Sequence, residues 1–106
     1  MAKSRFEALK EFLAQDPNDS FTRYALAMEY VGQHELAKAI EQLKDLLGDD
    51  RLYVPAYQQL GYLYADLERR DEAIAILRRG IEVAMSTGDT HARSEMLDAL
   101  DELELS

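Results

Sequence analysis

The sequence predicts an all-α protein whose helices stack as a repeat. The main observation is a recurring pattern of large and small residues. Leu26, Tyr30, Ala39, Ile40 and Leu43 return thirty-four residues later as Leu60, Tyr64, Ala73, Ile74 and Leu77. In the same register Ala27 becomes Gly61, Lys44 becomes Arg78 and Leu47 becomes Ile81. A second observation is that apolar residues keep helical spacing along the chain, with no credible strand. A unit of this length suits a helix–turn–helix repeat, which cannot bury its apolar face alone and must stack on a neighbour.

Six helices are expected. The first runs from Ser4 to about Gln15: Ser4 and Glu7 have capping-box spacing, and Phe6, Leu9, Phe12 and Leu13 share one face. Asp16-Pro17-Asn18-Asp19 stops it and caps a second helix from about Ser20 to Val31, with Leu26 and Tyr30 turned inward and Gly32 as the stop. A third begins near Glu35, carries Leu36, Ala39, Ile40, Leu43 and Leu47, and ends at Gly48. Pro55 suits the first turn of a fourth helix, where its missing N–H costs nothing; Tyr57, Leu60, Gly61 and Tyr64 form its inner face. Asp71 is expected to cap a fifth helix, which presents Ala73, Ile74, Leu77 and Ile81 and runs to about Met85. After a loop at Ser86–Asp89, Thr90 to about Leu103 forms the sixth.

The sixth helix breaks the strict spacing. A thirty-four-residue step would put Ser94, Glu95 and Asp98 in the core, which is implausible for such polar groups. A slip of two residues in the preceding loop places Met96, Leu97 and Leu100 there instead. Leu97 then stands where the repeats have Ala27 and Gly61, a large residue tolerable where no partner helix crosses closely. The expected role is a terminal cap with an acidic outer face, with Leu97 and Leu105 partly uncovered.

Composition narrows the class of function. The 106 residues hold 12 Lys and Arg against 21 Asp and Glu, a net charge of −9, and no cysteine. A hydrophobic fraction of 47% is ample for a core without staples. The negative field opposes nucleic-acid binding. Arg69, Arg70, Arg78 and Arg79 form the only basic cluster and are expected to pair with neighbouring acids. No apolar run approaches the roughly 20 residues that span a bilayer, and the N-terminal stretch lacks the apolar core of a secretory signal. The expected setting is soluble and cytoplasmic, without membrane contact.

Tyr57-x-x-Leu60-Gly61-x-x-Tyr64 followed by Ala73 and Leu77 resembles a tetratricopeptide repeat (TPR). Arg23-x-x-Leu26-Ala27-x-x-Tyr30 followed by Ala39 and Leu43 is similar but degenerate, because Arg23 replaces the family's aromatic residue. Arg51 and Met85 stand where the family closes a repeat with proline. The resemblance implies a TPR-type right-handed α-solenoid, an α-α superhelix of about six antiparallel helices, in a single domain over residues 1–106. Its expected parts are a half-repeat helix at 4–15, repeat one at 20–53, repeat two at 54–87 and a capping helix at 89–104. Ala27 and Gly61 are expected to meet Ala39 and Ala73, letting paired backbones approach closely.

The resemblance also implies a concave groove lined by the first helices of the repeats, holding a peptide or a partner's helix. Its partner-binding residues here would be Phe21, Tyr24, Met28 and Val31, then Pro55, Gln58, Tyr62, Ala65 and Asp66. His91, Ser94, Asp98, Asp101 and Glu102 would make one end acidic. Tyr and Met stripes at helical spacing are more often core, and Phe21 and Tyr24 could equally pack on neighbouring helices. The family's Lys/Arg/Asn clamp for acidic chaperone tails is absent: Tyr24, Met28, Gln59, His91 and Glu95 occupy those sites.

Nothing in the sequence has the form of a catalytic, cofactor or metal site. His34 reads as a solvated turn residue, and Asp89 beside His91 reads as a helix-start acid. His-x-x-x-His, Glu-x-x-His and Gly-rich phosphate-loop spacings are missing. The expectation is therefore a non-enzymatic, cofactor-free module binding an apolar or mildly basic protein segment. The alternative is an assembly protein that self-associates as a homodimer through the Leu97 region or docks by its terminal helices.

Overall fold

In a computed structural model of the chain, residues 2–105 are described. They form six helices: α1 (Arg5–Gln15), α2 (Ser20–Gly32), α3 (Leu36–Asp49), α4 (Val54–Asp66), α5 (Arg70–Thr87) and α6 (Thr90–Leu105). Among the described residues there is no strand. The backbone divides between Asp50 and Arg51 into two compact units.

In the first unit, α1 packs on α2 and α2 on α3. Ser4 caps α1 by accepting a 3.1 Å hydrogen bond from the Glu7 N–H. The Asp19 carboxylate caps α2, accepting from the backbone N–H and the hydroxyl of Thr22. Those two hydrogen bonds hold the Asp19 carboxyl below its ordinary pKa. The core is Leu26, Ala27, Ala39, Ile40, Leu43, Leu46 and Leu47. Complete burial of a leucine such as Leu43 or Leu46 contributes roughly 1.5–3 kcal/mol.

The helix α1 buries no residue. Phe6, Leu9 and Leu13 are half-buried, and the Phe6 ring meets Tyr30 edge-on at 5.3 Å. Phe12, expected on the same face, is 54% exposed. Among the described residues α1 packs mainly on α2, and the covered stripe is too narrow to include it.

In the second unit, α5 packs against both α4 and α6, and α4 also touches α6. Tyr57, Leu60, Ala73, Leu77 and Met96 are almost completely buried at the junction. The Tyr57 hydroxyl donates to the Arg51 carbonyl at 2.8 Å. A side chain at Gly61 would put its Cβ 2.5 Å from Leu77 Cδ2 and 2.7 Å from Leu77 Cγ, so α5 approaches α4 closely here and Leu77 fills the space beside Gly61. Gly80 marks a second close approach: a Cβ there would lie 2.6 Å from Tyr57 Cβ and 2.7 Å from Met96 Sδ.

Large and small residues exchange places between the units. Where the second has Tyr57 and Gly80, the first has Arg23 and Leu46, thirty-four residues earlier. Leu46 is fully buried, and Arg23 reaches the end of α3 to pair with Asp49 at 2.9 Å.

The turns within each pair share a geometry. His34 and Glu68 have φ of 58° and 60°, the left-handed conformation. Glu35 N–H bonds the Tyr30 carbonyl and His34 N–H that of Val31; Arg69 and Glu68 do the same to Tyr64 and Ala65. These are Schellman closures of α2 and α4, built on residues that carry a Cβ. Gly88 takes the same conformation after α5, with φ 78°.

Gly32 and Gly48, expected as stops, are the last and next-to-last residues of α2 and α3, and both ends of α5 also differ from expectation. Asp71 lies inside the first turn of α5, and the cap position belongs to Arg69, which makes no side-chain cap bond. Arg69 instead grips Glu72 through two 2.7 Å hydrogen bonds and lies over the Tyr64 ring. The Glu72 contact raises the Arg69 pKa. Ser86 and Thr87 remain helical, so α5 has 18 residues against 14 in α3. That extension carries the two-residue slip: Met96 and Leu100 of α6 are buried, while Ser94, Glu95 and Asp98 are exposed.

Candidate functional site: the cleft between α4 and α6

The three helices of the second unit leave a cleft of about 340 Å³. From α4 come Tyr62, Ala65 and Asp66, which lie at i, i+3 and i+4 and so share one helical face. Leu77 of α5 closes the floor, and Ala99, Glu102 and Leu103 of α6 form the far wall. The interior is mostly apolar, with two carboxylates, Asp66 and Glu102, exposed on opposite walls. Gln58 donates to the Tyr62 hydroxyl at 2.8 Å, one turn back along α4, and fixes that ring.

The α6 wall depends on α5. The last turn of α6 carries Asp101, Glu102 and Glu104 and no basic residue, which opposes the negative end of the helix dipole. Arg70 supplies the missing cation, donating from Nε to the Leu103 carbonyl at 2.9 Å. Arg78 Nη2 donates to Glu104 Oε2 at 3.2 Å. Two arginines of the basic cluster thus anchor the turn that bears Glu102 and Leu103.

Of the residues expected in a groove, Tyr62, Ala65, Asp66 and Glu102 meet in this cleft, with Gln58 bonded to its edge. Pro55 is exposed outside it, as are His91, Ser94, Asp98 and Asp101. His91 Nε2 lies 3.0 Å from Glu95 Oε1, and Asp89 accepts the Ala92 N–H as a cap. In the first unit, Tyr24, Met28 and Val31 are half-buried along α2, and Phe21 is 68% exposed. Phe21 therefore keeps most of its ring in water.

Sequence reasoning missed Leu77, Ala99 and Leu103. Leu77 repeats as a core residue, which hid its second role as a floor. Ala99 and Leu103 follow Met96 at i+3 and i+7, a spacing that could have placed them on the packed face of α6. A more open depression of about 510 Å³ lies over α5, lined by Tyr64, Glu72, Ala75, Ile76, Arg78, Arg79 and Glu82. Its charges are mixed and Arg78 is already paired, so the α4–α6 cleft has the more definite chemistry. Among the described residues, no His/Asp/Glu group could hold a metal and no helix is long and apolar enough to cross a membrane.

Paired helices with a recurring buried pattern define a helical-repeat protein, and comparison with known proteins identifies the repeat. A tetratricopeptide repeat family model matches residues 54–87. The solution structure of a tetratricopeptide repeat domain protein from Salinibacter ruber is 42% identical, with TM-score 0.80, covering 84% of this chain and 90% of that one. A crystal structure of a tetratricopeptide repeat domain protein from the same organism is 41% identical, with TM-score 0.77, covering 81% and 96%. The solution structure of a Bordetella parapertussis protein is 25% identical with TM-score 0.84, covering 97% and 90%. Among curated proteins, none matches. The chain belongs to the tetratricopeptide repeat family. That fold suggests a protein-interaction or scaffold module.

Proposed function

We propose that the protein is a cytoplasmic adaptor that binds an apolar or mildly basic segment of another protein on the inner faces of its first helices. The observation that carries this reading is the α4–α6 cleft, where an apolar floor and Tyr62 lie beside two exposed carboxylates. Concave apolar surfaces with a few placed polar groups are the usual form of a binding site. An aromatic ring held by its neighbour, as Tyr62 is by Gln58, suits an anchor that loses little entropy on binding. Within the first unit, Phe21, Tyr24, Met28 and Val31 offer a further apolar stripe of adaptable shape.

Self-association through Leu97 has less support, because that side chain is half-buried. A net charge of −9 also disfavours an acidic partner.

Selection from a display library of random peptides tests the proposal. Enriched sequences should pair an apolar residue with a nearby Lys or Arg, and their binding should fall with Tyr62→Ala. A selection that converges on nothing, or on peptides indifferent to Tyr62→Ala, would refute it.

A further inference from the structure

We infer that the α4–α6 cleft reads one long cationic side chain, a lysine or arginine, with its aliphatic stem on the floor and its charged tip between Asp66 and Glu102. The inference rests on reading the cleft as a docking site and adds what it selects.

Three observations support it. The first is charge without partners. Arg78 pairs with Glu104 and Arg69 with Glu72, yet the carboxylates of Asp66 and Glu102 make no ion pair or hydrogen bond among the described residues. The second is their placement: one carboxylate comes from α4 and the other from α6, on the two walls of one cleft. The third is depth. Leu77, fully buried, lies beneath, and the half-buried Tyr62, Ala65, Ala99 and Leu103 supply the apolar floor a ligand would meet. At about 340 Å³ the cleft has room for a side chain or two, not a folded ligand.

These features select against simpler occupants. A purely apolar side chain would cover the floor but draw two carboxylates out of water with nothing to bond. A short cation would reach the carboxylates and leave the floor wet. A lysine or arginine satisfies both, because its methylene stem covers apolar surface while its head stays at the rim. An acidic side chain is repelled from both walls. Asp66 and Glu102 would be the specificity-determining pair, and Arg70 a positioning residue acting through Leu103.

Small probes separate this inference from the broader reading. n-Butylguanidinium and n-butylurea share a stem and differ in charge. Each would be titrated into ¹⁵N-labelled protein while the amides of Tyr62, Ala65, Ala99, Glu102 and Leu103 are followed. The guanidinium should shift them saturably and bind about tenfold more tightly than the urea, an advantage that shrinks as salt is added. The double variant Asp66→Asn/Glu102→Gln, changed only at exposed positions, should keep the native spectrum and bind both probes alike. Equal affinities in the wild type, or no saturable shift at these amides, would overturn the inference. If a library-selected peptide still bound at Tyr62 in that case, the docking reading would stand alone; if no peptide bound there either, both would fall.

Discussion

Gly80 offers the sharpest test of how the second unit is packed. Replacing a helical glycine by alanine at an open site stabilises a protein by roughly 0.5–1 kcal/mol, through helix propensity and a less flexible unfolded chain. At Gly80 the added methyl would lie 2.6 Å from Tyr57 Cβ, 2.7 Å from Met96 Sδ and 3.3 Å from Tyr57 Cγ. Met96 can swing its sulfur aside, but Tyr57 Cβ is tied to the α4 backbone and moves only with the helix. Overpacking of this kind costs roughly 1–3 kcal/mol, and the backbone-linked contact argues for the upper half of that range. After subtracting the propensity gain, Gly80→Ala should destabilise by about 1–2 kcal/mol. Urea unfolding followed by far-UV circular dichroism would show a midpoint lowered by roughly 0.5–1 M. Gly48→Ala is the internal control: beyond its own chain neighbours and helix backbone nothing lies within 4 Å of its Cβ position, so the midpoint should rise. A Gly80→Ala protein as stable as the wild type would refute the three-helix junction.

Other expectations follow from the turns, a cap and the arginine anchors. His34→Gly and Glu68→Gly should each raise stability by about 0.5–1 kcal/mol, since glycine removes the Cβ strain of the left-handed turn; thermal unfolding of the single variants checks this. The Asp19 carboxyl is lowered by its Thr22 hydrogen bonds, so its contribution is complete above the unfolded aspartate pKa and is lost as pH falls through the lower, folded one. Asp19→Asn keeps a capping side chain and should flatten the acid limb of a stability-versus-pH curve, leaving neutral stability little changed. Arg70→Ala should release the last turn of α6, read as faster amide exchange at Leu103 and its neighbours with α4 protection unaltered.

The core was legible because burial repeats with the chain. Leu26 and Leu60, Ala39 and Ala73, and Leu43 and Leu77 are all buried. The misfit of Ser94, Glu95 and Asp98 disclosed the register of α6, and the extended α5 accounts for it. Gly80 stayed hidden for the opposite reason: its counterpart is Leu46, so the pattern shows no small residue to mark a close approach. Arg69 likewise could not be read as a cap position, because its side chain leaves the cap empty and binds Glu72.

The α4 wall of the cleft was legible, since Tyr62, Ala65 and Asp66 are the residues of that helix left outside the repeating core. The α6 wall was only half legible. Glu102 follows from the acidic face, and spacing from Met96 puts Ala99 and Leu103 on the packed face, but that this face meets α4 depends on how α6 crosses it, which no spacing in one helix specifies. The two arginines that hold this wall read in sequence as a charge cluster, and their use becomes evident only when α6 ends beside them.

The claim that this cleft docks a protein segment rests most directly on Tyr62. Calorimetric titration of a library-selected peptide into the wild type and into Tyr62→Ala measures its share of the affinity. Loss of a buried aromatic anchor predicts at least a roughly tenfold weaker Kd, with the far-UV spectrum unchanged. Equal affinity in the two proteins would contradict the account.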